Sequence, residues 1–199
     1  MRILFQGKYF WKFPADFQMV VGPTHHYPPP AKYVHDTEKY SHLVRIKTIP
    51  DGGHIITGYV AGAPFAQPSG PMRGYEILCD DWYAYVPYLT CGLTNSTYLV
   101  DRFGNIHKEQ ILQVYRRLSH ISDANHSLSE PSAPGLDYTE YIMVLFPEES
   151  KYTVTLTIYY EDLTRHEDTF LYIPSLRRSL RLSTAARCSP FAGTDLILD

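Results

Sequence analysis

The chain has 199 residues, 44% of them hydrophobic and 20% charged, with a net charge of −3. That is room for one large domain or a cramped pair, at the composition of an ordinary folded protein. It excludes a global basic field for nucleic acid, and no segment approaches the ~20 apolar residues of a membrane helix.

Tyrosine stands out at 17 residues. It suits strands and half-wet cavities, because it buries a ring and keeps a polar tip. With 15 prolines and 12 glycines, long helices are not expected to dominate.

The N-terminus, "MRILFQGKYFWKFPADF", lacks a continuous apolar run and a small-residue cleavage site, so it does not read as a secretory signal. The whole chain, 1–199, is read as a single domain. Residues 1–42 are rich in Pro, Tyr and His, and "GPTHHYPPPAKY" predicts an extended, polyproline-like segment.

Residues 43–60, "LVRIKTIPDGGHIITGYV", predict two strands around a Pro-Asp-Gly-Gly turn. Val44 and Ile46 share one face, Arg45 and Lys47 the other. "AGAPFAQPSGP" is a loop. "GYEILCDDWYAYV" (74–86) predicts a helix ended by Pro87, with Ile77, Leu78, Trp82 and Tyr85 close to one face.

Strands follow. "STYLVDRFGNIHKE" is a hairpin turning at Phe103-Gly104-Asn105. Residues 110–121 form a long mixed strand, 122–135 a polar loop, and 138–146 another strand. In "KYTVTLTIYY" (151–160), Tyr152, Val154, Leu156, Ile158 and Tyr160 alternate with three threonines and Tyr159. That strict period of two separates an apolar face from a hydroxyl face. "TFLYI" and "LRRSLRLS" are the last strands, interrupted at Pro174. Phe170 and Tyr172 face one side, Leu171 and Ile173 the other.

The sum is a mainly β (α+β) protein: an antiparallel sheet of seven to nine strands with a helix near 74–86. Its apolar face must be covered by a second sheet, by closure, or by a helix. A strongly curved sheet around the helix leaves room for an apolar ligand.

Catalytic signals are missing. The nine histidines include no HExxH and no HxH, so no metal or cofactor is expected. There is no GxSxG elbow, and "AGAPFAQPSGP" lacks the Gly-Lys-Ser/Thr of a phosphate loop. Asp80 and Asp81 read as a solvated helix face. Cys79, Cys91 and Cys188 fit no metal spacing; they are incidental thiols, or one disulfide with a cysteine left over. Arg177 and Arg181 would share one face of a strand, Arg178 the other. They form either a solvated face or a basic rim for an anionic head group, which Arg116 and Arg117 would extend if their strand is adjacent.

"TFLYIPSLRRSLRLS" followed by "CSPFAGTD" resembles a motif of LolA/LolB-like lipoprotein-sorting proteins. "GYVAGAPFAQPSGP", "LVDRFGN", "QVYRRLSHISD", "LTIYYED" and "RRSLRLSTAARCSPFAGTD" together resemble a proteobacterial family of unknown function described as outer membrane lipoprotein-sorting proteins. The blocks come in order over nearly the whole chain. Members of that family are longer and carry a secretory signal, so this chain resembles a central part or a truncated member.

The resemblance implies a LolA-like half-barrel holding a helix in its concave face. It implies a non-enzymatic periplasmic or outer-membrane carrier of a lipid or other hydrophobic compound, beside a porin-like protein and an RND-type exporter. Trp82, Tyr85, Leu156, Ile158 and Tyr160 would line the cavity, and Arg177, Arg178 and Arg181 its polar rim. In an oxidising periplasm Cys91 and Cys188 become a plausible disulfide, contributing about 3–5 kcal/mol, with Cys79 a buried thiol. The alternatives are a docking module for the transport partners with no ligand of its own, and a hydrolase.

Overall fold

The computed structural model describes residues 20, 22–101 and 103–183. The predicted extended segment ends early. Pro28, Pro29 and Pro30 lead directly into a helix, α1 (Ala31–Tyr40), so the expectation for residues 31–42 is corrected. Proline lacks an N–H, which costs nothing where a helix starts. Lys32 and Asp36 then pair one turn apart, and Asp36 is buried.

β1 (Arg45–Thr48) pairs antiparallel with β2 (His54–Thr57), from Arg45 opposite Thr57 to Thr48 opposite His54. The Asp51 carboxylate accepts the Gly53 N–H at 2.8 Å inside the predicted turn, and Gly52 takes φ 87°. α2 (Arg73–Trp82) follows. It stops four residues short of the predicted end, with Tyr83 at φ −96°, ψ 20°. Pro87 disfavours helix at the residue before it, and Tyr83 is held in the core.

That core is small and sits between the β1–β2 hairpin and α2. Val44, Ile56, Cys79 and Tyr83 are buried together, with Ile46, Tyr59, Phe65 and Tyr75 packed around them. The buried stripe of the helix is therefore Tyr75, Cys79 and Tyr83. Ile77, Leu78 and Trp82, the predicted apolar face, are 47%, 61% and 60% exposed.

The remaining strands are β3 (Leu89–Val100), β4 (Ile106–Arg117), β5 (Leu136–Phe146), β6 (Val154–Tyr160), β7 (Asp168–Ile173) and β8 (Arg178–Arg181). They form one antiparallel meander in chain order. Among the described residues there are eight strands, within the expected number, but they fall into sheets of two and six, and the larger sheet does not close into a barrel. Register shifts interrupt β3 between Cys91 and Thr94, and β5 twice, between Val144 and Phe146 and between Leu136 and Tyr138. Such bulges bend a strand and increase its twist.

Candidate functional site

Register and alternation assign each side chain of the large sheet to a face. Tyr138 lies opposite Tyr159, and their rings stack at 4.1 Å. Arg117 lies opposite Tyr138, Tyr115 opposite Glu140, and Thr157 opposite Thr169. This face is lined by hydroxyls, rings and polar groups. The Glu140 carboxylate accepts the Tyr115 hydroxyl at 2.8 Å and the Gln113 amide at 2.6 Å.

The other face is apolar. Leu156 lies opposite Tyr141 on one side and Phe170 on the other. Val154 lies between Met143 and Tyr172. Ile158 and Tyr160 continue the row on β6, and Val114, opposite Tyr141, carries it to β4. All of these except Tyr172, which is exposed, are half-buried.

Helix α2 meets the hydroxyl face, not the apolar one. Trp82 sits 6.5 Å from Tyr138, and the Arg117 guanidinium lies over the rings of Tyr83 and Tyr138 at 6.0 and 5.5 Å. The expectation that the helix and the apolar row enclose one cavity is corrected: the sheet separates them. Trp82, Val86, Tyr115, Arg117 and Tyr138 line a pocket of about 230 Å³ on the hydroxyl face, whereas Leu156, Ile158 and Tyr160 point the other way. Tyr85 lines neither. Its hydroxyl donates to Asp123 at 2.7 Å, and its ring meets Tyr33 edge-on at 5.9 Å.

A buried ion pair lies at this contact. The β5 bulge sets Asp137 beside Arg117 at 3.0 Å, with side chains only 5% and 9% exposed. Ser119 donates its hydroxyl to the same carboxylate oxygen at 2.8 Å. A buried guanidinium needs a partner, which Asp137 supplies, and Tyr83, at the end of α2, adds an aromatic face beside it.

The predicted arginine rim is also divided. Arg177 is not in a strand; it takes φ 49° in the turn before β8. Arg178 lies opposite Ile173, on the hydroxyl face, and Arg181 lies opposite Phe170, on the apolar face. Arg116 and Arg117 do not extend the rim, because three strands separate β4 from β8. Arg181 is bonded to Asp168, which also accepts the Tyr160 hydroxyl at 2.6 Å. Together with Arg181, that phenol holds the Asp168 carboxyl below its usual range. Arg165, which sequence reasoning missed, lies over the Tyr160 ring at 3.4 Å and 3.8 Å from Asp168. The end of the apolar row is thus a polar cluster of Tyr160, Asp168, Arg165 and Arg181.

A second cleft, of about 600 Å³, opens between β2, the 120–129 loop and the turn after β6. Its walls include Ile56, Tyr59, Tyr83, Leu128, Leu163 and His120. His120 takes φ 55°, which is uncommon for a residue other than glycine. Its Nδ1 donates to the Val60 carbonyl at 2.7 Å, leaving Nε2 for another partner, and its ring lies 4.5 Å from Tyr59. "LSHIS" carries no motif that singles it out.

Among the described residues no His, Cys, Asp and Glu group could hold a metal. Cys79 is buried and free of any disulfide, and burial pushes its thiol up. The Cys91 side chain and all of Cys188 lie outside the described residues, and with them the predicted pair.

Residues 5–199 match the family model described as "Protein of unknown function (DUF1329)". The chain belongs to that family. Among solved structures it is similar to a DUF1329 family protein from Desulfovibrio piger, at 16% identity and a TM-score of 0.37, over 49% of this chain and 35% of that one. The match thus spans about a third of that protein's length. No curated protein matches the chain.

Proposed function

We propose that this member of the DUF1329 family binds a lipid or other hydrophobic compound on the apolar face of its six-stranded sheet, as a carrier and not as a catalyst. The observation behind this reading is the row from Val114 and Tyr141 through Leu156 and Ile158 to Phe170, part-exposed along one face. An alkyl chain laid on such a row gains about 0.8 kcal/mol per buried methylene. The polar cluster of Tyr160, Asp168, Arg165 and Arg181 closes one end, where a head group would meet water. The half-barrel of LolA-like proteins, the periplasmic setting and the Cys91–Cys188 pair belong to the same proposal and rest on the sequence resemblance. Among the described residues no helix is long and apolar enough to cross a membrane.

The test is native mass spectrometry after incubation with phosphatidylethanolamine vesicles. A stoichiometric lipid adduct is expected. Ile158→Asp should remove it, and Thr155→Asp, one face away, should leave it. A clean apo mass for the folded wild-type chain, or loss of the adduct only in the Thr155 variant, would overturn the reading.

A further inference from the structure

Among the described residues, β3 and β8 are the two edge strands of the large sheet, and they are built in opposite ways. β8 has four residues and begins and ends in arginine, and Arg181 is tied to Asp168 on the neighbouring strand. Shortness and charge are how folded proteins keep an edge from pairing. β3 has twelve residues, "LTCGLTNSTYLV", with no charged side chain and no proline. Its irregularity lies between Cys91 and Thr94. From Thr94 to Val100 it pairs with β4 residue for residue, and all seven residues except Leu99 are exposed. A regular, neutral edge of this length presents alternate N–H and C=O groups to any strand that can reach them.

We propose that β3 pairs antiparallel with β3 of a second copy of this chain, about a twofold axis at Thr97, joining the two large sheets into one. Three observations favour a second copy over another occupant. The segment is neutral throughout, so self-pairing opposes no like charges. A twofold at Thr97 sets Thr97 against Thr97, Ser96 against Tyr98, Asn95 against Leu99 and Thr94 against Val100. These pairs are hydroxyl with hydroxyl, or polar with part-apolar, and cross-strand threonine pairs are favourable. Pairing β3 with β8 instead would be head-to-tail and open-ended, and it would set a short arginine-flanked strand against a long one. Pairing β3 with itself closes after two chains.

The experiment is sedimentation velocity of the full chain from nanomolar to high micromolar concentration, with hydrogen exchange on the same samples. The expected result is a reversible dimer, with amide protection at 94–100 rising as the dimer fills. Thr97→Lys places like charges directly opposite each other and should weaken association several-fold. An equimolar mixture of Thr97→Lys and Thr97→Glu should restore it. A chain that stays monomeric throughout the range would overturn the proposal. So would a dimer whose concentration-dependent protection lies outside 94–100, or one indifferent to Thr97→Lys. The exchange readout on the wild type needs no variant, so a variant that fails to fold leaves the test intact.

Discussion

Arg117 Nη1 donates to Asp137 Oδ1 over 3.0 Å, and both side chains are almost completely buried. The pair joins the end of β4 to the bulge of β5 beneath the rings of Tyr83 and Tyr138. Removing one partner leaves the other charged and desolvated, which typically costs 3–5 kcal/mol. Asp137→Ala should therefore destabilise the fold by about that amount in urea unfolding. The double variant Arg117→Met, Asp137→Leu should lose less than the sum of its parts. Strict additivity of the two single changes would refute the coupling.

Gly92 sits inside the β3 irregularity. A Cβ there would lie 1.8 Å from the Gln113 carbonyl oxygen on β4, nearer than two atoms can approach. Because the obstacle is backbone, Gly92→Ala should force the strands apart, at roughly 1–3 kcal/mol for an overpacked site. Hydrogen exchange should speed up along β3 and stay unchanged in the β1–β2 hairpin. Unchanged exchange in β3 would refute the close approach.

Alkali should unfold the protein through its tyrosines. Burial, with Asp80 adding and Arg117 opposing, raises the Tyr33 phenol to about 12. Burial also pushes up Tyr59, Tyr83 and Tyr138. A raised folded value favours the protonated phenol in the fold. That stability is whole below the unfolded value near ~10 and is lost as pH rises through the folded value. Tyrosinate absorbance should show a late, cooperative phase coincident with loss of near-UV dichroism. A single smooth titration near ~10 would refute the prediction.

At the acid end the sign reverses. The Tyr160 hydroxyl and then Arg181 hold the Asp168 carboxyl down. Its contribution is present above the unfolded carboxylate value, ~3.9, and is lost as pH falls through the lower folded one. Asp168→Asn should flatten the acid limb of the stability profile and loosen the β7–β8 pairing. An acid limb that is unchanged in the variant would exclude Asp168 as its source.

Several elements were legible because local chemistry decides them. The turn at 50–53 needs proline and glycine in that order, and the Gly104 turn needs a positive φ, observed at 86°. The alternation of Val154, Leu156, Ile158 and Tyr160 can only be a strand with one apolar face, and the four residues do share a face. Helix α1 was missed because three prolines read as extended chain, although the same residues begin a helix at no cost. The buried stripe of α2 was misread because hydropathy favours Ile77, Leu78 and Trp82. Tyr75, Cys79 and Tyr83 lie at i, i+4 and i+8, an equally good helical stripe, and the β1–β2 hairpin packs against that one.

The sequence by itself determined the turns at 50–53 and Gly104 and the two faces of β6, because those follow from backbone sterics and a period of two; it did not determine where β3 and β4 begin and end, nor that Arg177 lies in a turn. It did not determine which face of the large sheet receives α2. Hydropathy alone would place the helix on the apolar row. The tertiary structure places it on the hydroxyl face, where Arg117 and Asp137, twenty residues apart in sequence, are brought together by the bulge in β5 and the Arg117 guanidinium lies over the Tyr83 and Tyr138 rings. That contact exists only once the strands have met, because the register that sets Arg117 opposite Tyr138 and the bulge that sets Asp137 beside it come from pairing between segments distant in sequence.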